Sequence, residues 1–227
     1  MLKEKIRVFI LGILAGILIG IGGFSNLYCN LKFNNPILGG VFFSFGLIFI
    51  CFTGLNLFTG KVGYIFENKL SYFIDVLIMM VANFIGVMLV GLIFAKTNTI
   101  SFESLTSFIS KKIILTDSCD AFNLFLMSIV AGALVFLAVE GYKKFTSPIT
   151  KLISIMLPIA IMVIIGGEHS VANGFYYFGA IFNISEEGYK VFLSLLISVA
   201  GNIIGSLILW SLFALVQKLT KKENKSL

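Results

Sequence analysis

LPIAIMVIIGGEHSVANGF, residues 157–175, holds the only histidine of the chain and, beside it, a carboxylate, between flanks that are strongly apolar. Why Glu168 and His169 stand there depends on what the surrounding chain is. With 58% hydrophobic residues, 12% charged residues and a mean hydropathy of +1.02, the composition excludes a soluble globular domain, where about a quarter of residues are charged.

Apolar runs recur at Val8–Phe24, Pro36–Phe58, Tyr72–Ala95, Phe122–Val139, Leu152–Gly166 and Val191–Val216. Most meet or approach the roughly 20 residues that a helix needs to cross the hydrocarbon core. Without water at that depth the backbone must be helical or form a closed barrel. These runs are continuous rather than alternating, so they are helices. The sequence predicts one all-α membrane domain, residues 1–227, with six spans: a short segment 1–7, a bundle 8–218 and a tail 219–227.

MLKEKIR followed by VFILGILAGILIG could pass for a secretory signal, but no small-residue cleavage site follows. LYC at 27–29 suggests a lipoprotein site only faintly, because Tyr28 is too bulky there. The segment reads as an uncleaved first span. Cys29, Cys51 and Cys119 have neither CxxC spacing nor a histidine neighbour, so they predict buried thiols rather than a metal site or disulfides. No cofactor is indicated.

Orientation follows from basic residues. Six spans place the N-terminus, the 61–69 and 143–151 turns and the C-terminal tail on one side, with twelve of the 17 Lys and Arg residues. That side is expected to be cytoplasmic. The formal charge of +6 is then chiefly a topology signal and gives no reason to expect nucleic-acid binding.

The two halves echo each other. VANFIG (81–86) resembles VAGNIIG (199–205), and LAGIL (14–18) resembles VAGAL (130–134). Three spans per half make the copies antiparallel in the bilayer, and inverted repeats of this kind place a substrate site near the midplane, at interrupted helices. The interruptions fall in the second span of each half, FTGLNLFTG (52–60) and GGEHSVANG (166–174). Glycine permits non-helical turns there, and such backbone is tolerated at membrane depth only inside protein or along a cavity. Half-helix N-termini at the breaks would present free N–H groups, which favour anions.

GGVFFSFGLIFICFTGLNLFTG (39–60), NFIG (83–86), LPIAIMVIIGGEHSVANGF (157–175) and GNIIG (201–205) together resemble the formate/nitrite transporter family, in order, from about Ile10 to Trp210. The resemblance implies an aquaporin-like protomer of six helices, broken in the second and fifth, assembled as a homopentamer with one pore per protomer. Its substrates would be small monovalent anions: formate, nitrite or hydrosulfide. The expected setting is a prokaryotic cytoplasmic (inner) membrane with both termini cytoplasmic.

His169 is the central candidate, because an ionisable group inside the membrane is by default functional. Out of water the imidazole is best read as neutral at rest. It then either stabilises the anion by donating a hydrogen bond or hands it a proton; a structural histidine tying down the loop is the alternative. Glu168 would repel an anion and is expected to turn away from the path, accepting bonds from loose backbone N–H groups. Thr59 in the opposite break offers a hydroxyl to the substrate or to His169. Asn83, Asn173 and Asn202 read as amides that satisfy freed backbone groups.

By resemblance, Leu47, Leu57 and Phe58 form a cytoplasmic constriction, and Phe43, Val135 and Met162 an outer one. Apolar rings penalise an ion's hydration, so a neutral protonated form passes more easily. Gly12, Gly16 and Gly20 read as a packing stripe. The sequence departs from the family in three places. Few residues precede the first span, Gly132 stands where relatives carry an asparagine, and Thr116 stands where they often carry a lysine. Lys111 and Lys112 lie a little earlier and read as solvated surface lysines, with attraction of anions to the outer mouth as the alternative. Two other classes compete: a membrane enzyme using Glu168 and His169 as an acid–base pair, disfavoured by a single histidine, and a neutral-solute facilitator, since the fold alone does not imply anions.

Overall fold

The structure, a computed structural model, describes residues 2–97, 99–110, 112, 120–180 and 188–223, with the backbone alone at Phe102 and 221–223. These residues form helices and turns, with no strand among them. In chain order the helices are α1 (Leu2–Phe33), α2 (Pro36–Thr53), α3 (Phe58–Lys61), α4 (Leu70–Ala95), α5 (Phe102–Ile109), α6 (Ala121–Lys144), α7 (Pro148–Ile164), α8 (Ser170–Ala180) and α9 (Gly188–Glu223), with a 3-10 turn Val62–Glu67 after α3. Lys111, Thr116 and Cys119 lie outside the described residues.

Among the described residues, five helices, α1, α2, α4, α6 and α9, are long and apolar enough to cross a membrane. The sequence predicts six. The difference is α7, which is apolar but only 17 residues long, because the Gly166–Gly167 pair stops it. The first helix also starts earlier than the apolar run: it takes in Lys3–Arg7 and continues to Phe33. At 1.5 Å per residue its 32 residues reach about 48 Å, well beyond the hydrocarbon core.

Local chemistry sets the helix ends. Asn35 caps α2 by accepting the Leu38 N–H at 2.9 Å, and Pro36 opens the helix. Asp120 caps α6 through the Phe122 and Asn123 N–H groups, and Lys143 and Lys144 close it, each matching the helix dipole.

Two glycine-mediated helix pairs form the frame. Gly12, Gly16 and Gly20 of α1 lie against α4, where a Cβ would meet Ala82, Asn83 and Val90. Gly201 and Gly205 of α9 lie against Ser128 and Ile129 of α6. Small residues let backbones approach this closely. Then α2 packs on α1, α7 on α6, and α2 on α7, so the two frames meet along the α2–α7 contact. The outer surface is apolar: Phe42, Phe45, Phe49 and Phe52 of α2 and Ile149, Ile153, Leu157 and Ile161 of α7 all point outward. A surface so continuously apolar suits lipid or another subunit rather than water.

Candidate functional site

Both polar stretches leave the helix through a left-handed glycine. Gly54 ends α2 at φ 72° and Gly166 follows α7 at φ 77°, a conformation that glycine adopts without steric cost. Gly167 is needed for a second reason: a Cβ there would press on the Met162 side chain and carbonyl. The chain then turns back into α3 and α8.

One buried asparagine supports each break, and the two do so with the same three hydrogen bonds. Asn83 of α4 accepts the Phe58 N–H at 2.8 Å and donates at 2.8 Å to the carbonyls of Gly12 and Asn56. Asn202 of α9 accepts the Ser170 N–H at 2.8 Å and donates to the carbonyls of Ser128, at 2.8 Å, and Glu168, at 2.9 Å. Each amide therefore ties the first residue of a half-helix to the loop before it and to the paired frame helix. This arrangement differs from the expectation that the half-helices present free N–H groups: the leading N–H of each is already held. An unpaired N–H in apolar surroundings is costly, which is why an amide is there.

His169 lies where the two breaks meet and is 2% exposed. Its two nitrogens have separate tasks. Nδ1 accepts the Ala172 N–H at 3.2 Å, so His169 acts as the N-cap of α8. Nε2 lies 2.7 Å from Thr59 Oγ1. With the Nδ1 lone pair engaged by a donor, the neutral ring carries its proton on Nε2 and donates to Thr59.

Glu168 is buried, and its carboxylate accepts Lys112 Nζ at 3.0 and 3.1 Å and Asn173 Nδ2 at 2.8 Å. Its partners are thus side chains rather than the backbone N–H groups expected from the sequence, because those of Gly167, Glu168 and Ser170 are already held by the Met162 and Met127 carbonyls and Asn202; nor does Glu168 turn from the path as expected, since it borders the cavity at this mouth. Lys112 is not a solvated surface lysine. Its side chain is 15% exposed, its carbonyl accepts the Tyr177 hydroxyl at 2.7 Å, and its ammonium stands 5.7 Å from the ring centres of Phe108 and Tyr176. Sequence reasoning missed this pairing because it depends on how α5 packs against α8.

A cavity of about 730 Å³ opens on this side, lined by Phe43, Met162, Glu168, His169, Asn173 and Lys112 among others. At the opposite end a smaller one of about 140 Å³ is lined by Leu47, Leu57, Lys61 and Lys143 among others. Phe43 and Leu47 stand one turn apart on α2, about 6 Å along its axis, and each lines one of the two cavities. Phe58 and Val135 are buried, 1% exposed each, and line neither cavity. The wall is closed by apolar side chains with the His169–Thr59 pair as its polar centre.

A second polar feature went unread in the sequence. Ser194, Ser198, Asn202 and Ser206 recur every fourth residue of α9 and are fully buried. Ser198 accepts from Asn173 at 3.3 Å and Ser206 donates to the Gly132 carbonyl at 3.1 Å. The period of four in an apolar helix was the available signal. Gly132 itself is a packing position rather than the site of a lost pore amide, because a Cβ would run into the Asn202 carbonyl. Gly132→Ala is therefore expected to cost about 1–3 kcal/mol and to lower the melting temperature in detergent. An unchanged melting temperature would show that α6 and α9 have room to part.

At the end that carries the start of α1 and the last turns of α9, Glu140 is held by Lys144 at 3.0 Å and by the Tyr64 hydroxyl at 2.7 Å. Burial, together with this carboxylate, pushes the Tyr64 phenol far above its ordinary range, so it remains a donor. Among the described residues no cluster of His, Cys, Asp or Glu could hold a metal ion.

The model of the formate/nitrite transporter family matches residues 2–216. A search of curated protein sequences returns no match. Among solved structures the chain is similar to a pentameric formate channel with formate bound, at 23% identity, covering 96% of this chain and 98% of that one, with a TM-score of 0.78. It is similar as well to an FNT family ion channel, at 19% identity, covering 95% of this chain and 91% of that one, with a TM-score of 0.81. At these identities the likeness is one of fold.

Proposed function

This chain belongs to the formate/nitrite transporter family, and from that premise we propose that it is a channel, not an enzyme, for formate or a similarly small monovalent anion of a weak acid. It is an integral membrane protein. The single observation that carries the reading is the buried His169 Nε2–Thr59 Oγ1 contact of 2.7 Å, set in an apolar wall between two cavities.

The spans are α1, α2 with α3, α4, α6, α7 with α8, and α9, arranged as two inverted halves with interrupted second and fifth spans. The matching hydrogen bonds of Asn83 and Asn202 support this. Both termini face the cytoplasm of a prokaryotic cell, which the lysine-rich turns at that end support. The protein assembles as a homopentamer; the formate channel it resembles in fold is pentameric.

Substrate enters from either cavity and meets the wall. Leu47 and Leu57 on one side and Phe43 and Met162 on the other penalise hydration. The Nε2–H of His169 and the Thr59 hydroxyl together replace part of the lost water by hydrogen bonds. The ring acts as a donor and not as a proton source. Giving up the Nε2 proton would require another at Nδ1, and the Ala172 N–H occupies that lone pair. Any proton that crosses with the substrate comes on the substrate itself. Glu168, paired with Lys112 and Asn173, is neutralised and does not oppose the anion.

Uptake into proteoliposomes, compared for formate, nitrite, hydrosulfide, chloride and glycerol at two pH values, tests this. Formate or nitrite should enter faster than chloride, and glycerol should stay out. Entry of glycerol without any weak-acid anion would make the protein a neutral-solute facilitator. Hydrosulfide entering well ahead of the others would assign that anion as the substrate.

A further inference from the structure

At the end that carries the last turns of α6 and α9, another cavity, of about 620 Å³, lies between those helices and the Val62–Glu67 turn. It is separate from the substrate path: of the residues on its wall, only Lys143 also borders the 140 Å³ cavity.

This wall holds charges of both signs, incompletely paired. Glu140 is balanced by Lys144 at 3.0 Å and bonded by the Tyr64 hydroxyl at 2.7 Å. Glu67 instead meets a neutral group, the Trp210 indole N–H, which donates to its Oε1 at 2.6 Å. The Lys143 ammonium lies 3.1 Å from the centre of the Tyr64 ring, and Lys218 stands on α9 about two turns beyond Trp210. Among the described residues, neither lysine is within ion-pair distance of a carboxylate, and Glu67 is not within that distance of a cation.

The cavity lies where the headgroup layer of a bilayer would be. The apolar run of α9 ends at Val216, and a tryptophan near the end of such a run with lysines beyond it marks the membrane–water interface. Phe66, 65% exposed, packs on Trp210 with ring centres 5.4 Å apart, and Leu212, Leu215 and Leu219 of α9 face outward. A polar pocket is thus continued by an apolar surface, as an amphiphile requires.

We propose that this cavity binds a phospholipid whose headgroup carries a primary ammonium, phosphatidylethanolamine being the simplest. The phosphodiester meets Lys143 and Lys218, and the ammonium meets the Glu67 carboxylate. The acyl chains lie along the outward face of α9. Charge-assisted hydrogen bonds of this kind are stronger than neutral ones. A lipid held there bridges the Val62–Glu67 turn, α6 and α9. That turn follows α3 directly and sits tightly on the frame, since a Cβ on Gly63 would collide with the Phe136 ring. The lipid therefore braces the first break from outside the path.

The test is native mass spectrometry of delipidated protein in detergent, titrated with phosphatidylethanolamine, phosphatidylcholine or phosphatidylglycerol of equal chain length, with melting temperatures alongside. Phosphatidylethanolamine should bind most tightly and raise the melting temperature. Lys143→Gln and Lys218→Gln, both at exposed positions, should each weaken that binding by about fivefold. Glu67→Gln keeps an oxygen for Trp210 and should remove the preference for phosphatidylethanolamine over phosphatidylglycerol. Equal binding of the three lipids, unaltered in all three variants, would overturn the site. Glycerophosphoethanolamine, the headgroup without chains, should bind far more weakly; binding as tight as the lipid's would make the ligand a soluble phosphate ester and overturn the proposal. Loss of the assembled species in both lysine variants, with lipid binding unchanged, would assign the cavity to a contact between copies and overturn it as well.

Discussion

Replacing His169 with Phe is expected to lower formate flux by about a hundredfold or more, while the protein still assembles. The magnitude is that of removing one preorganised donor from a water-excluded site. Phenylalanine fills the ring's space but offers the substrate no hydrogen, and it leaves Thr59 as the only polar group in the wall. It also removes the cap on the Ala172 N–H, at a cost of about 1 kcal/mol, too little to unfold the bundle. His169→Asn separates the two tasks. Its oxygen can cap α8 as Nδ1 does, yet the side chain is too short to reach Thr59. Stability should return in this variant and flux should not. Unchanged flux in His169→Phe would reduce the histidine to a capping residue.

Asn202→Leu is expected to produce the largest loss of stability. It leaves the buried Ser170 N–H and Glu168 carbonyl without their asparagine partner and takes from the Ser128 carbonyl the bond it accepts beyond its own helix. Each buried group left unmet costs about 1–3 kcal/mol, so the sum is several kcal/mol. The loop carrying His169 then loses its Asn202 bridge to α6 and keeps the Glu168 N–H bond to the Met127 carbonyl, at 3.2 Å. The melting temperature in detergent should fall by about 10 °C or more, and size-exclusion chromatography should show loss of the assembled species. Asn83→Leu should act likewise on the Phe58 break. A melting temperature within a degree or two of wild type would mean that the amides do not carry the loops.

Much of the architecture was legible because membrane depth imposes it. Continuous apolar runs leave only helices as a solution, and polar residues with glycines in the middle of such runs mark where the helices stop. The paired Asn-x-Ile-Gly segments were visible as a repeat. The groups that each asparagine meets were not, because Gly12 and Ser128 lie more than seventy residues away in sequence. The same limit hid Lys112. Its charge suggested solvent, and only the packing of α5 on α8 brings it to Glu168. Helix lengths were misjudged where charge and burial disagree. α1 extends through Lys3, Lys5 and Arg7 because a helix needs no apolar surface beyond the bilayer, and α8 includes Asn173 and Gly174 because protein surrounds it on all sides.

The side-chain bonds Lys61–Asn56 and Asn173–Glu168 each span five residues across a break and differ in charge. Although the two cavities differ, about 730 against about 140 Å³, the backbone supports are alike in the two halves. The charges are not, and a different set of groups meets the substrate at each mouth.

The path between His169 and Thr59 is tested most directly by formate flux before and after silver ion, in a Thr59→Cys variant whose native cysteines are replaced by serine. Silver is small enough to enter a path for three-atom anions and binds thiolate tightly. If the substrate passes between Thr59 and His169, silver stops formate flux in this variant and not in its cysteine-free parent. Formate flux that continues unchanged in the silver-treated variant would place the path elsewhere and contradict the account.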